Sequence, residues 1–132
     1  MPIRKKHLRT LHGLIEAPVD QVTPLVLDVP PADGVTVEAS TRTRSVAVQG
    51  SWWYRSETTV TPTPGGSMIT LKIYNVAQRS RWAVPLASHP ALRDAPAAFI
   101  CRLETIGAHL GVNAYPTTPA QNGGAASTRR TA

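Results

Sequence analysis

Two runs, "SWWYRSETTVT" (51–61) and "SMITLKIYNVA" (67–77), stand on either side of "PTPGG" (62–66), and this segment limits the fold more than any other. Both runs are rich in β-branched and aromatic residues, which suit a pleated strand. Pro and Gly between them end pairing and supply the backbone angles of a tight connection, so the segment predicts an antiparallel hairpin. In the second strand Ile69, Leu71 and Ile73 share one side, while Met68, Thr70, Lys72 and Tyr74 share the other. Successive strand residues point to opposite sides, so the sheet has a wet face and a dry face that another element must cover.

An amphipathic helix further along supplies that cover. Phe99, Leu103, Ile106 and Leu110 recur at intervals of four, three and four, a single apolar stripe. With Asp94 as N-cap, Pro96 in the first turn and Gly111 as the stop, the helix is expected over 95–110. Upstream, "HLRTLHGLIEA" (7–17) sets Leu11, Gly13, Ile15 and Ala17 against Thr10, His12 and Glu16 and reads as a strand. "PVDQVTPLVLD" (18–28) reads as a short helix with Val22, Leu25 and Val26 on its apolar side, although Pro24 weakens it. After the break "VPPADG" (29–34), "VTVEAS" (35–40) and "TRSVAVQG" (43–50) read as two further strands. Strand, short helix, antiparallel meander and long C-terminal helix make an α+β layer architecture.

Composition narrows the function classes. The 132 residues suit one domain with a hydrophobic core, and no run approaches the length of a membrane span. The net charge of +6 suggests a nucleic-acid partner, but removing Arg4, Lys5, Lys6, Arg129 and Arg130 leaves nine basic residues against eight acidic. The basic excess belongs to the ends, so a nucleic-acid interface on the body is not expected. Cys101 is the sole cysteine, which excludes an internal disulfide. No apolar signal segment follows the basic start, and a cytoplasmic location is the expectation.

His7, His12, His89 and His109 lack the close spacing of metal ligands, and "PTPGGS" precedes a strand where a phosphate loop would open a helix. No nucleophile elbow is present. No metal or cofactor is therefore expected. In the aromatic cluster, Trp52, Tyr54, Ser56, Thr58 and Val60 fall on one strand face and Trp53, Arg55, Glu57, Thr59 and Thr61 on the other. The second set is charged and hydroxyl-rich, so Trp52 and Tyr54 are expected inside, and Trp53 outside beside an Arg55–Glu57 pair. Trp82, in the linker "QRSRWAVPLASHPALR", is expected to close one end of the gap between sheet and helix.

The segments "HLRTLHGLIEAPVDQVTPLVLD", "WWYRSETTVTPTPGGSMITLKIYNVA" and "DAPAAFICRLETIGAHLGV" together resemble the helix-grip fold of the START-like (SRPBCC) superfamily, which includes polyketide cyclases/dehydrases and lipid-transfer domains. The resemblance lies in element order and local texture and covers about residues 7–112. It implies a curved antiparallel sheet wrapped around a long C-terminal helix, a short helix after the first strand, and a cavity between sheet and helix. The resulting division is a flexible basic segment (1–6), one START-like domain (7–112) and a disordered tail (113–132). The chain departs from the family in being short, since only "VPPADG" stands where many members carry a second helix.

The resemblance further implies binding or transport of a hydrophobic or aromatic, lipid- or polyketide-like molecule. Trp52, Tyr54, Leu71, Ile73, Trp82, Phe99, Leu103 and Ile106 are the candidate ligand-binding residues. A second reading is a cyclase/dehydrase-type enzyme using the same cavity, for which Tyr54 and His12 are the available acid/base candidates. A third is a ligand-free homodimeric interaction module using Trp53 and the outer sheet face. Absence of a recognisable acid/base constellation favours the first reading over the second.

Overall fold

The computed structural model describes residues 6–30, 32–50, 53–76 and 84–117, with backbone alone over 84–92. In chain order these form β1 (Lys6–Ile15), α1 (Val19–Leu27), β2 (Val35–Ser40), β3 (Ser45–Gly50), β4 (Tyr54–Thr63), β5 (Gly66–Asn75), α2 (Val84–Leu110) and β6 (Ala114–Thr117). The strands make one antiparallel sheet in the order β2-β3-β4-β5-β1-β6. The α+β class, the short helix after the first strand and the C-terminal helix on the sheet are as the sequence predicts. The sheet is not strongly curled, so α2 lies across it and is not wrapped by it.

The alternation read from sequence places the core. Ile69 and Ile73 of β5, Val60 of β4, Val46 of β3 and Ile15 of β1 are buried on the face that meets the helices. Val22 and Val26 of α1 and Phe99, Leu103 and Ile106 of α2 close over them. Gly13 of β1 decides how near α2 can come. A Cβ there would fall 2.9 Å from Leu103 Cδ2, so the missing side chain is what lets the fully buried Leu103 rest on the strand. Two residues along the same strand pair, where Ile15 faces Ser67, the buried Ser67 hydroxyl donates to the Ala17 carbonyl at 2.6 Å and ties the β4–β5 hairpin to the start of α1.

Several boundaries differ from expectation. The hairpin turns more tightly: Thr63 pairs with Gly66, which leaves Pro64 and Gly65 as the connection and takes Pro62 into β4 opposite Ser67. The second helix begins at Val84 and not near Asp94, so the linker read over residues 84–93 is helical. Pro85 sits in the first turn, where a missing N–H costs nothing, and the helix runs on through Pro90 and Pro96, each at the loss of one helical hydrogen bond. Asp94 accordingly pairs with Arg93 (3.3 Å) and caps no amide. The predicted stop is in place: Gly111 has φ 71, and the Val112 N–H returns to the Gly107 carbonyl at 2.9 Å.

The domain also passes the expected limit at residue 112. Ala114–Thr117, assigned by sequence to a disordered tail, form β6 and pair with β1, Ala114 opposite Ile15 and Thr117 opposite His12. Glu16 anchors this strand, accepting from Asn113 Nδ2 (3.2 Å) and the Tyr115 hydroxyl (3.3 Å), while its N–H donates to the Asn113 carbonyl (2.9 Å). Residues 118–132 and the N-terminal residues 1–5 lie outside the described residues.

Candidate functional site

A cavity of about 380 Å³ lies between the dry face of the sheet and the two helices. Its floor is Val46 and Val48 of β3, Tyr54, Ser56 and Thr58 of β4, and Ile69, Leu71 and Ile73 of β5. Val26 and Val29 form the wall at the end of α1. On α2 the wall is Ala95, Ala98, Phe99, Leu103 and Ile106, with Asp94 and Arg102 at the rim. The space has a simple origin. Small side chains line it on both sides, Ser56 and Thr58 from the sheet and Ala95 and Ala98 from α2, where Leu or Phe would take up more of the space.

Six of the eight candidate residues from the sequence therefore share one cavity: Tyr54, Leu71, Ile73, Phe99, Leu103 and Ile106. Trp52 and Trp82 lie outside the described residues. Sequence reading missed Ser56, Thr58, Ala95 and Ala98, although all were legible. The first two share the parity of Tyr54, and Ala95 stands one helical turn before Phe99. Arg102 and Val29 had no local signal, because their place depends on how α1 meets α2. Arg102 Nη2 donates to the Val26 carbonyl at 2.8 Å and reaches the Leu25 carbonyl at 3.4 Å. These are last-turn carbonyls of α1 that lack a helical partner.

The expectation for Trp53 is overturned. It is 5% exposed, packed with Leu8 and set edge-on to Tyr54, ring centroids 5.4 Å apart at 85°. Its carbonyl accepts the Val76 N–H at 2.8 Å, which holds it where β4 begins and β5 ends. Strand parity has no hold on Trp53 because β4 starts one residue later, and Leu8, at an irregularity in the β1–β5 register, meets it. Trp53 is thus a buried side chain and not one exposed beside Arg55.

The wet face of the sheet is polar, as read. Arg55 donates from Nε to Glu57 at 2.8 Å and from Nη1 to Gln49 at 3.0 Å, with Glu38 at 3.5 Å. The hydrogen bond to Glu57 holds the Arg55 pKa above its ordinary value, against the opposing effect of burial. His12 faces this side too, with Nδ1 3.3 Å from the Thr70 hydroxyl. Tyr54 and His12 are consequently on opposite faces of the sheet and cannot serve one reacting centre. Among the described residues no three His, Cys, Asp or Glu converge on a metal site, and no helix is long and apolar enough to cross a membrane.

Burial, and then the nearby charge of Lys72, lowers the His12 pKa below the ordinary value. The unfolded chain then takes up more protons than the folded one as pH falls below about 6.5, so His12 lowers stability on the acid side of that value. We expect the urea midpoint of the wild type to drop more between about pH 7.5 and 5.5 than that of His12→Gln. Parallel slopes in the two proteins would show that His12 does not titrate in this way.

Comparison with known proteins gives no match: no family model, no curated protein and no solved structure is significantly similar to this chain.

Proposed function

We propose that the protein binds a hydrophobic or aromatic small molecule, lipid- or polyketide-like, in the space between its sheet and α2. The observation that carries this reading is the 380 Å³ cavity, walled mainly by Val, Leu, Ile and Phe with the Tyr54, Ser56 and Thr58 hydroxyl groups on one side. Concave, largely apolar pockets with a few convergent polar groups are the usual form of a small-molecule site. Burial of apolar ligand surface supplies the affinity, and Tyr54 orients a polar end. A START-like, helix-grip ancestry fits the element order and this placement of the cavity. The carrier role is preferred to the cyclase/dehydrase role because Tyr54 and His12 are separated by the sheet.

Saturable binding of the neutral fluorophore N-phenyl-1-naphthylamine tests the reading. We expect one site per chain, and Thr58→Leu, which extends a branched side chain into the cavity, should weaken binding by about tenfold or more. The same variant should leave the urea midpoint unchanged or raised, since it fills empty space. Binding that is indifferent to Thr58→Leu would place the fluorophore elsewhere and remove the basis of the proposal.

A further inference from the structure

The cavity has two charged residues on its rim, and they differ in how they are satisfied. Asp94 is exposed and paired with Arg93 at 3.3 Å. Arg102, two helical turns further on and about 12 Å along α2, pairs with no carboxylate among the described residues. Its one engaged nitrogen, Nη2, is held by the carbonyls of Leu25 and Val26. Those bonds fix the guanidinium between the end of α1 and the cavity mouth, and they leave Nε and Nη1 without a hydrogen-bond partner among the described residues. An arginine fork held in place at the lip of an apolar space is a ready receptor for a carboxylate, because less freedom is lost when the bond forms.

We infer that the ligand is an amphipathic monocarboxylate, its apolar body against Val46, Ile73 and Phe99 and its carboxylate on Arg102. This rests on the cavity-binding reading above and adds the chemical class of the guest. The volume suits a single chain or a compact ring system, since 380 Å³ is at the lower end of small-molecule sites and leaves no room for a two-chain lipid. The acid end is at the α1 side, where the Leu25 and Val26 carbonyls hold Arg102, and the far end of the rim is already neutralised by the Arg93–Asp94 pair. Affinity for such a ligand falls with salt, because the charged end sits at the solvent boundary.

Competition against N-phenyl-1-naphthylamine separates this inference from the one beneath it. Decanoate and 1-decanol have the same chain length, and the alcohol is the more hydrophobic of the two. In the wild type at about 20 mM salt, decanoate is expected to displace the fluorophore at a concentration about tenfold lower than 1-decanol does, a preference that shrinks by about 500 mM salt. In Arg102→Gln the preference should vanish, decanoate and 1-decanol then displacing the fluorophore at concentrations within about twofold of each other. Equal or stronger displacement by the alcohol in the wild type overturns the inference, as does a preference that survives Arg102→Gln. In both cases saturable fluorophore binding leaves the cavity reading intact, whereas absence of saturable binding overturns the two together. Should Arg102→Gln loosen α1 and lose its far-UV circular dichroism, the wild-type preference and its salt dependence decide the matter alone.

Discussion

Gly66→Ala is expected to lower the unfolding free energy by about 3–5 kcal/mol, combining backbone strain with overpacking. Gly66 opens β5 at φ 138, a conformation in which side chains other than hydrogen are strained. A Cβ there would also meet the Ile15 carbonyl, the Ala17 nitrogen (3.0 Å) and Glu16 Cα (3.0 Å). All three are backbone atoms of the β1–α1 junction, so no rotamer change relieves the clash, and the hairpin must part from the junction that the Ser67 hydroxyl otherwise holds. Chemical denaturation followed by circular dichroism measures the loss as a lower midpoint at unchanged slope. Gly65→Ala is the control, since its Cβ would meet only Leu14 Cδ2, at an ordinary 3.6 Å, and its midpoint should barely move.

Trp53→Ala should cost about 3–5 kcal/mol, the range for truncating a buried aromatic side chain. The ring is 5% exposed and fills the corner between Leu8 and Tyr54, so its loss leaves a void that the fixed backbone around the Val76 hydrogen bond cannot collapse into. Trp53→Phe retains part of the packing and should lose roughly half as much or less. Because Tyr54 leans edge-on against this ring and also floors the cavity, Trp53→Ala should loosen fluorophore binding as well. A loss below about 1 kcal/mol, the usual scale of a surface substitution, would show that the indole contributes no core packing.

What could be read from the sequence follows from which forces act locally. The alternation in β4 and β5 and the stripe of α2 are local signals of burial, and they sort Tyr54, Leu71, Ile73, Phe99, Leu103 and Ile106 onto one space. The misreadings share a cause. Trp53 was assigned by extending strand parity one residue beyond the strand, where the irregular register at Leu8 takes over. The first half of α2 is hidden because Pro90 argues against helix, and Asp94 with Pro96 imitates the start of one. β6 was hidden because its four residues become a strand only beside β1 and Glu16. Arg102 carries the least signal of all, since an exposed arginine on a helix has no mark in sequence that says which carbonyls it will find.

The order of strands in the sheet also sets an order in time. β2, β3 and β4 each pair with the strand next in the chain, so the meander needs only short loops to close. β1 waits for β5, and β6 waits longer still, with Ala114 pairing to Ile15 at the opposite end of the domain. Distant partners lose more chain entropy before their contacts form, and such pairings come slowly. On a ribosome the floor of the cavity is therefore complete while its roof is still being synthesised, and the space is open to the surrounding solution until α2 arrives. A newly made chain presents this space as an open trough, and the finished domain presents it covered by α2.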